Sequence, residues 1–362
     1  MVQGAKTMIN VALIVGTYTG GGIGVVVGSL VREAKKFGVE YTIVTKKALS
    51  KSMDAKIIEH PIHSSKMARA LSKFDVVHVM GGSTLVLPAL LSKKPSVFTF
   101  QGQTPPSMHG GHLKNAKAYG IEALYKATMR RFDVITCAAK FGMEDIRNRY
   151  GVSNSIWVPN GVDRKLFFKA KNANIAKLKK SHSHPLFIGV GNLYPVKGWM
   201  ETLEWFEEFA KVNPKSSLMI AGVGILEHKM RERIENSALK GRVELLGEIP
   251  YEKLNDYYNA CDALLSGSPY EGFCLPAIEA LAVGKPLVVR KKGAMIEHAI
   301  GSGCGKIFED DAKSFIRAAN GALKLEPKEV ERKAKIYLKP FTWENAARQY
   351  ALIYRKLLKG RE

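Results

Sequence analysis

Apolar residues along this chain come in two alternating formats. Short, mainly apolar runs such as Met8–Val15, Tyr41–Thr45, Val76–Met80, Ser96–Phe100 and Val134–Cys137 alternate with helix-length stretches in which apolar positions recur every three or four residues. Runs of the first kind predict strands buried on both faces, and stretches of the second kind predict helices packed over them. The alternation predicts a parallel sheet covered on both sides. Gly20–Gly24 reads as a turn into a helix that continues to about Phe37 and closes on Gly38. The rhythm pauses at Lys169–His184, a stretch rich in Lys, Ser, Asn and His that reads as a linker. It then restarts: Pro185–Gly191, Ser217–Ala221, Val243–Leu246, Ala263–Ser266, Leu287–Val289 and Lys306–Phe308 read as strands, and Gly198–Val212 and Ile225–Ala238 as helices. A last amphipathic helix is expected over Trp343–Leu358. The class is α/β, with two Rossmann-like units whose ligands are expected at the carboxyl ends of the strands.

Length agrees with two units: 362 residues exceed one ordinary core. The 46% hydrophobic and 24% charged content is that of a globular protein. No apolar run approaches the roughly 18 residues of a membrane-spanning helix, and the first residues carry no signal-peptide pattern. Cys137, Cys261, Cys274 and Cys304 lie far apart without a Cys-x-x-Cys pair, which points to a reducing, cytoplasmic setting. Charge changes the picture more. Residues 1–184 carry 28 basic and 10 acidic side chains, whereas 185–362 carry 27 and 23. A one-sided positive field suits phosphate, anionic lipid headgroups or nucleic acid, and a lysine-rich surface of the heat-adapted kind produces the same count.

The stretch SGSPYEGFCLPAIEALAVGKPLVV at 266–289 carries the chemistry. A strand ends at Ser266, Gly267–Phe273 form a loop, and Pro276 suits the first turn of a new helix. Backbone N–H groups near Phe273–Leu275 and the positive helix end suit an anion. Glu271 in the loop and Glu279 on the helix place one carboxylate on either side of it, each able to accept hydrogen bonds from sugar hydroxyls. No Asp-x-Asp pair for holding a metal ion occurs in the chain.

This phrase resembles the E-x7-E signature of the retaining group 1 glycosyltransferases (glycosyltransferase family four, GT-B fold). The resemblance implies two Rossmann-like domains facing across a cleft, with a C-terminal helix crossing back to the first. It places domain boundaries at 1–168 plus 341–362 for the acceptor-binding domain and 185–340 for the nucleotide-sugar domain, with 169–184 as linker. It implies that Glu271 contacts the transferred sugar, that Glu279 holds the ribose, and that Gly272, Phe273, Cys274 and Leu275 offer backbone donors. The segment Val190–Gly198 resembles the family's G-R-L-x-x-x-K-G, in which Lys197 and, in place of Arg, Asn192 serve the diphosphate. Gly16–Gly24 is similar to the family's glycine-rich loop, where Gly21 and Gly22 admit a ligand close to the backbone. His78 matches a Val-His landmark and is a catalytic candidate, though a core role suits it equally. The implied reaction moves a hexosyl unit from a UDP-, GDP- or ADP-linked sugar to a glycan or lipid-linked acceptor, with no cofactor and no metal ion.

Three positions depart from the family pattern. Asn192 stands for Arg, so an Arg from elsewhere, Arg290 or Arg242, is expected to complete the clamp. Gln101 stands where the family usually has His, and Cys274 replaces the second Gly of a Gly-Phe-Gly turn. The long loop Gln101–His112, with His109 and His112, is a candidate acceptor loop. The stretch Lys114–Arg131 reads as a basic amphipathic helix suited to an anionic bilayer or, equally, to a solvated surface. Nucleic acid is not expected as a partner, since no reading motif for it is present. The departures at Asn192 and Gln101 keep a second reading open, a weakened homologue acting as a nucleotide-binding or scaffold subunit, and a nucleotide-sugar epimerase shares the architecture.

Overall fold

The computed structural model describes residues 8–18, 21–49, 54–59, 65–81, 85–108 and 112–360, apart from the side chains of residues 65 and 112–115. The chain divides into two compact units, Met1–Gly161 with Pro340–Glu362, and Val162–Lys339.

The first unit is built on a sheet that has seven strands among the described residues. These are β1 (Ile9–Tyr18), β2 (Val39–Ala48), β3 (Lys56–Glu59), β4 (Val76–Met80), β5 (Ser96–Phe100), β6 (Val134–Cys137) and β7 (Ile156–Trp157). They run in the order β3-β2-β1-β4-β5-β6-β7, and every pairing is parallel. Helices α1 (Gly22–Ala34), α2 (Ser65–Leu71), α3 (Val86–Leu91), α4 (His112–Thr128) and α5 (Lys140–Tyr150) fill the connections. Helix α1 passes into a 3-10 turn, Lys35–Phe37, and ends on Gly38 at φ 71°, the left-handed position glycine occupies without strain. Val11, Leu13, Ile43, Val77 and Val97 are fully buried, as expected of strands covered on both faces.

The second unit repeats the plan. Strands β8 (Leu186–Val190), β9 (Ser217–Ala221), β10 (Val243–Gly247), β11 (Ala263–Ser266), β12 (Leu287–Arg290) and β13 (Gly305–Phe308) form a parallel sheet ordered β10-β9-β8-β11-β12-β13. Its helices are α6 (Ala173–Ser181), α7 (Trp199–Val212), α8 (Glu227–Glu235), α9 (Leu254–Ala260), α10 (Leu275–Ala282), α11 (Met295–Ser302), α12 (Ala312–Leu323) and α13 (Pro327–Tyr337). Helix α6 lies inside the stretch read as a linker. Asn172 caps it by accepting from the Ile175 N–H at 2.9 Å, and Ile175 is its buried residue. The core gathers Phe187, Phe206, Phe209, Phe308 and Phe315 edge-to-face between the sheet and α7 and α12. In both sheets the strand order reverses beside the first strand, at β1/β4 and β8/β11, and ligands of such sheets bind outside the carboxyl ends at that point.

The last helix, α14 (Trp343–Lys359), belongs to the first unit and packs along α1. It is fastened by a buried chain of polar groups. The Tyr354 hydroxyl lies 2.8 Å from that of Tyr41 and 2.6 Å from His78 Nδ1, while His78 Nε2 lies 2.6 Å from Thr99 Oγ1. Thr99 continues to Thr136 at 2.7 Å and to Tyr350 at 3.1 Å. His78 is fully buried, and burial pushes its imidazole down to about 3. Its reading as a catalytic candidate is therefore corrected: both ring nitrogens are engaged inside the core, and the residue anchors α14. Tyr354→Phe would strand two buried polar groups at once, and a loss of about 1–3 kcal/mol in urea unfolding of this unit is expected. An unchanged midpoint would show that the hydroxyl contributes nothing. Among the described residues no helix is long and apolar enough to cross a membrane.

Candidate functional site

The clearest site candidate stands at the carboxyl ends of β8 and β11 in the second unit. The loop after β8 carries Asn192 and Lys197, and the loop after β11 carries Glu271. The two loops meet back to back at Gly198, which has φ 65° and whose added Cβ would lie 2.5 Å from the Gly267 carbonyl oxygen. No other residue fits there. Ser268 ties the same loops through its hydroxyl, 3.2 Å from the Val196 oxygen and 2.9 Å from the Tyr270 oxygen. Held this way, Lys197 Nζ donates to Glu271 Oε1 at 2.6 Å, with the side chains 28% and 15% exposed. Burial pulls the ammonium down, but the neighbouring Glu271 carboxylate outweighs it, so Lys197 sits above its ordinary value and stays charged. Asn192 is exposed; its carbonyl accepts from Trp199 Nε1 at 2.9 Å, leaving its side chain at the loop surface.

Neither arginine considered for the clamp is available to it. Arg242 precedes β10, at the opposite end of the sheet from the loops, and donates to the Pro214 carbonyl. Arg290 ends β12 but is buried against Trp205, bonded to Asp310 at 2.6 Å and to the Gly267 oxygen at 3.3 Å. It braces the loop from beneath.

From Glu271 the chain runs through Gly272, Phe273 and Cys274 into α10, where Pro276 occupies the first turn. Cys274 caps the helix at φ 69°, ψ 74°. This is the left-handed region, which costs a non-glycine residue about 1–2 kcal/mol and which suits the glycine expected there from the resemblance. Two carbonyls of the loop turn toward α11: the Glu271 oxygen accepts from the Ala294 N–H at 2.9 Å, and the Phe273 oxygen from His298 Nε2 at 2.6 Å. Glu279, one turn into α10, is 2% exposed and accepts from the Tyr251 hydroxyl at 2.8 Å and the Tyr258 hydroxyl at 2.7 Å. Burial raises its carboxyl to about 7 against the pull of both hydroxyls. Among the described residues no cluster of three or more His, Cys, Asp or Glu side chains could hold a metal ion. The arrangement combines one buried-edge ammonium, two carboxylates and a backbone turn in one place.

Residues 170–338 match the family model of glycosyl transferases group 1, and residues 20–166 match that of glycosyltransferase family 4. The chain belongs to the group 1 glycosyltransferases. One relative is the GDP-mannose-dependent α-(1-6)-phosphatidylinositol dimannoside mannosyltransferase of Mycobacterium tuberculosis, 26% identical over 224 residues, or 61% of this chain and 57% of that one. The match thus spans little more than half of the relative's length. Among solved structures, sucrose-phosphate synthase from Thermosynechococcus elongatus superposes with a TM-score of 0.81 over 97% of this chain and 100% of that one, at 19% identity. HepE of Anabaena in complex with UDP-glucose does so with a TM-score of 0.80 over 96% and 100%, at 14% identity. At those identities the likeness is one of fold, and the fold is GT-B.

In this group 1 glycosyltransferase the remaining candidates lie in the first unit. Gly22 opens α1, and nothing among the described residues lies within 4 Å of where its Cβ would be. Among the described residues the packing does not require glycine there. Gln101 follows β5 and accepts from Asn160 Nδ2 at 3.1 Å, while its own Nε2 is buried without a partner among the described residues. His109 lies outside the described residues; His112 begins α4, and its side chain lies outside them too. The sequence reading missed Tyr251, Tyr258 and His298. Each acts on Glu279 or the Phe273 turn from another element: Tyr251 from the 3-10 turn before α9, Tyr258 from α9 and His298 from α11.

Proposed function

We propose that the protein transfers a hexosyl unit from a UDP-, GDP- or ADP-linked sugar to a glycan or lipid-linked acceptor, retaining the anomeric configuration and needing no divalent ion. The observation that carries this reading is the Lys197–Glu271 pair, a charged ammonium held 2.6 Å from a carboxylate at the switch point of the sheet. Negative charge grows on a departing nucleoside diphosphate, and a fixed ammonium with adjacent backbone N–H groups stabilises it most as the bond breaks. On donor binding the ammonium turns to the diphosphate and Glu271 accepts from sugar hydroxyls. Glu279 has lone pairs beyond the two its tyrosines use and accepts from the ribose. The bond from the anomeric carbon to the diphosphate oxygen breaks, and the acceptor oxygen bonds that carbon from the same face. The acceptor's proton passes to the departing oxygen. Lys197 and the loop amides supply charge stabilisation and orientation, not a strong base.

A lipid-linked acceptor at an anionic surface is favoured by α4. Ala118, Tyr125 and Thr128 are buried on one side, while Lys117, Tyr119 and Lys126, with Arg130 and Arg131 beyond the helix end, are exposed on the other. Binding and slow hydrolysis across a panel of UDP-, GDP- and ADP-sugars, with and without EDTA, test the donor reading. One base class should bind and turn over equally in both conditions. Binding of none would remove the donor assignment, and loss in EDTA would remove metal independence. Co-sedimentation with phosphatidylglycerol-containing but not pure phosphatidylcholine vesicles is expected, and equal behaviour with both would end the surface assignment.

A further inference from the structure

His298 is fully enclosed on α11, a helix that carries none of the residues read above as donor ligands. Its partners are the Phe273 carbonyl, 2.6 Å from Nε2, and the Tyr337 hydroxyl, 2.9 Å from Nδ1. A carbonyl only accepts, so Nε2 carries the proton and Nδ1 accepts from Tyr337. Burial lowers the imidazole to about 4, so this neutral tautomer persists across the working pH range. The Phe273 ring also meets the imidazole edge-to-face at 4.9 Å between centroids.

What this bond does follows from peptide geometry. In a planar trans peptide the C=O of one residue and the N–H of the next point in opposite directions. Turning the Phe273 oxygen toward His298 therefore turns the Cys274 N–H away from α11. The Ala294 bond to the Glu271 oxygen does the same for the Gly272 N–H. Gly293, at φ 65°, makes that approach feasible, because an added Cβ would sit 2.7 Å from both the nitrogen and the oxygen of Glu271. Among the described residues neither the Gly272 nor the Cys274 N–H meets an acceptor. Two alternate peptides are thus clamped by α11 with their donors directed to the other side. The same clamp holds Cys274 in its left-handed conformation, which an unrestrained cysteine disfavours.

We infer that His298 is a positioning residue for diphosphate recognition: through the Phe273 carbonyl it orients the Cys274 N–H toward the phosphates of the donor. This rests on the donor reading proposed above and extends it to a residue that the E-x7-E phrase does not contain. Its signature is selectivity for the phosphates, since the nucleoside portion makes no use of this peptide.

The variants His298→Gln and His298→Asn separate positioning from packing. A Gln amide nitrogen reaches the position of Nε2 and can donate to Phe273, whereas Asn reaches only that of Nδ1. Affinities for a nucleoside and its diphosphate, for whichever base the wild-type protein binds, are compared by calorimetry. His298→Asn should weaken the diphosphate at least tenfold and the nucleoside less than twofold, and His298→Gln should stay within threefold of wild type for both. His298→Leu, if folded, should follow Asn. Equal diphosphate affinity in Asn and wild type, or parallel loss of nucleoside and diphosphate, overturns the inference while leaving the donor reading intact. Failure of the wild-type protein to bind any nucleoside diphosphate overturns both, and is read before any variant is compared.

Discussion

Lys197→Ala is expected to lower kcat/KM for the true donor at least about 100-fold, the scale on which enzymes lose a donor that stabilises transition-state charge. Most of the loss should fall on kcat, because the charge that the ammonium meets is larger in the transition state than in the bound donor. Glu271→Ala should cost a similar factor for a different reason, namely that the sugar loses the acceptor proposed for its hydroxyls. The two side chains are hydrogen-bonded at 2.6 Å, so their effects should not add. The double variant is expected to be about as slow as the worse single one, which a double-mutant cycle reads directly. The exposed pair Arg231–Glu227 on α8 supplies the control. Ion pairs of that exposure contribute about 0–1 kcal/mol, and Arg231→Ala should leave turnover unchanged. Near-wild-type turnover in Lys197→Ala or Glu271→Ala would remove these residues from the reaction.

How much of this was legible in the sequence depends on how local each cause is. Strands β4, β5, β6, β9 and β11 begin and end where the apolar runs do, because burial on both faces writes itself into consecutive residues. Strand β3, with its two isoleucines half-buried in the sequence KIIE, sits at the sheet edge and leaves no such run. Helix α6 was hidden for a related reason: a surface helix with one buried residue, Ile175, has almost no apolar stripe to detect. The Glu271–Lys197 pair could be anticipated, since each sits in a glycine-punctuated loop directly after a strand. His78 shows the limit. Its strand and its phase are evident, but the Tyr354 hydroxyl that satisfies Nδ1 comes from 276 residues away. Whether a buried histidine is catalytic or structural turns on such a partner, and no spacing encodes it. Tyr251 and Tyr258 on Glu279, and His298 on Phe273, are the same case at separations of 28, 21 and 25 residues. Cys274 departs from the expected glycine, yet the backbone keeps the left-handed turn. There the fold dictates the conformation and the residue bears the strain.

Nucleoside affinity should rise with pH across neutrality, by up to about tenfold from pH 6 to pH 8, and level off above that. The cause is Glu279, proposed above to accept from the ribose, whose burial raises its carboxyl from 4.5 to about 7. A ribose hydroxyl donates best to the ionised form, so each pH unit below that value costs the site up to a factor of ten. The raised carboxyl also bears on stability. Between pH 4.5 and 7 the folded chain keeps a proton on Glu279 that the unfolded chain releases, so this group makes folding less favourable as pH rises through that window. The total is roughly 3 kcal/mol, from about 1.4 kcal/mol for each pH unit between the two values. His298 in the same unit acts oppositely. Its imidazole is lowered from 6.5 to about 4, so between those values the unfolded chain binds the extra proton and stability rises with pH. From about pH 4.5 to 6.5 the two slopes nearly cancel in the second unit, while in the first unit His78, lowered from 6.5 to about 3, meets no opposing raised carboxyl among the described residues. Urea unfolding followed by hydrogen exchange should therefore show, from about pH 6.5 down to pH 5, the first unit losing stability and the second holding nearly level; below that the lowered carboxyls of Glu207, Asp310, Asp311 and Glu329 draw the second unit down as well. Glu279→Gln removes one of the two opposing slopes, and the second unit should then lose stability toward acid as well, together with the pH dependence of nucleoside binding. Identical pH profiles for Glu279→Gln and the wild-type protein would mean that this carboxyl is ionised throughout, and the assignment of a half-protonated, ribose-facing Glu279 would fall.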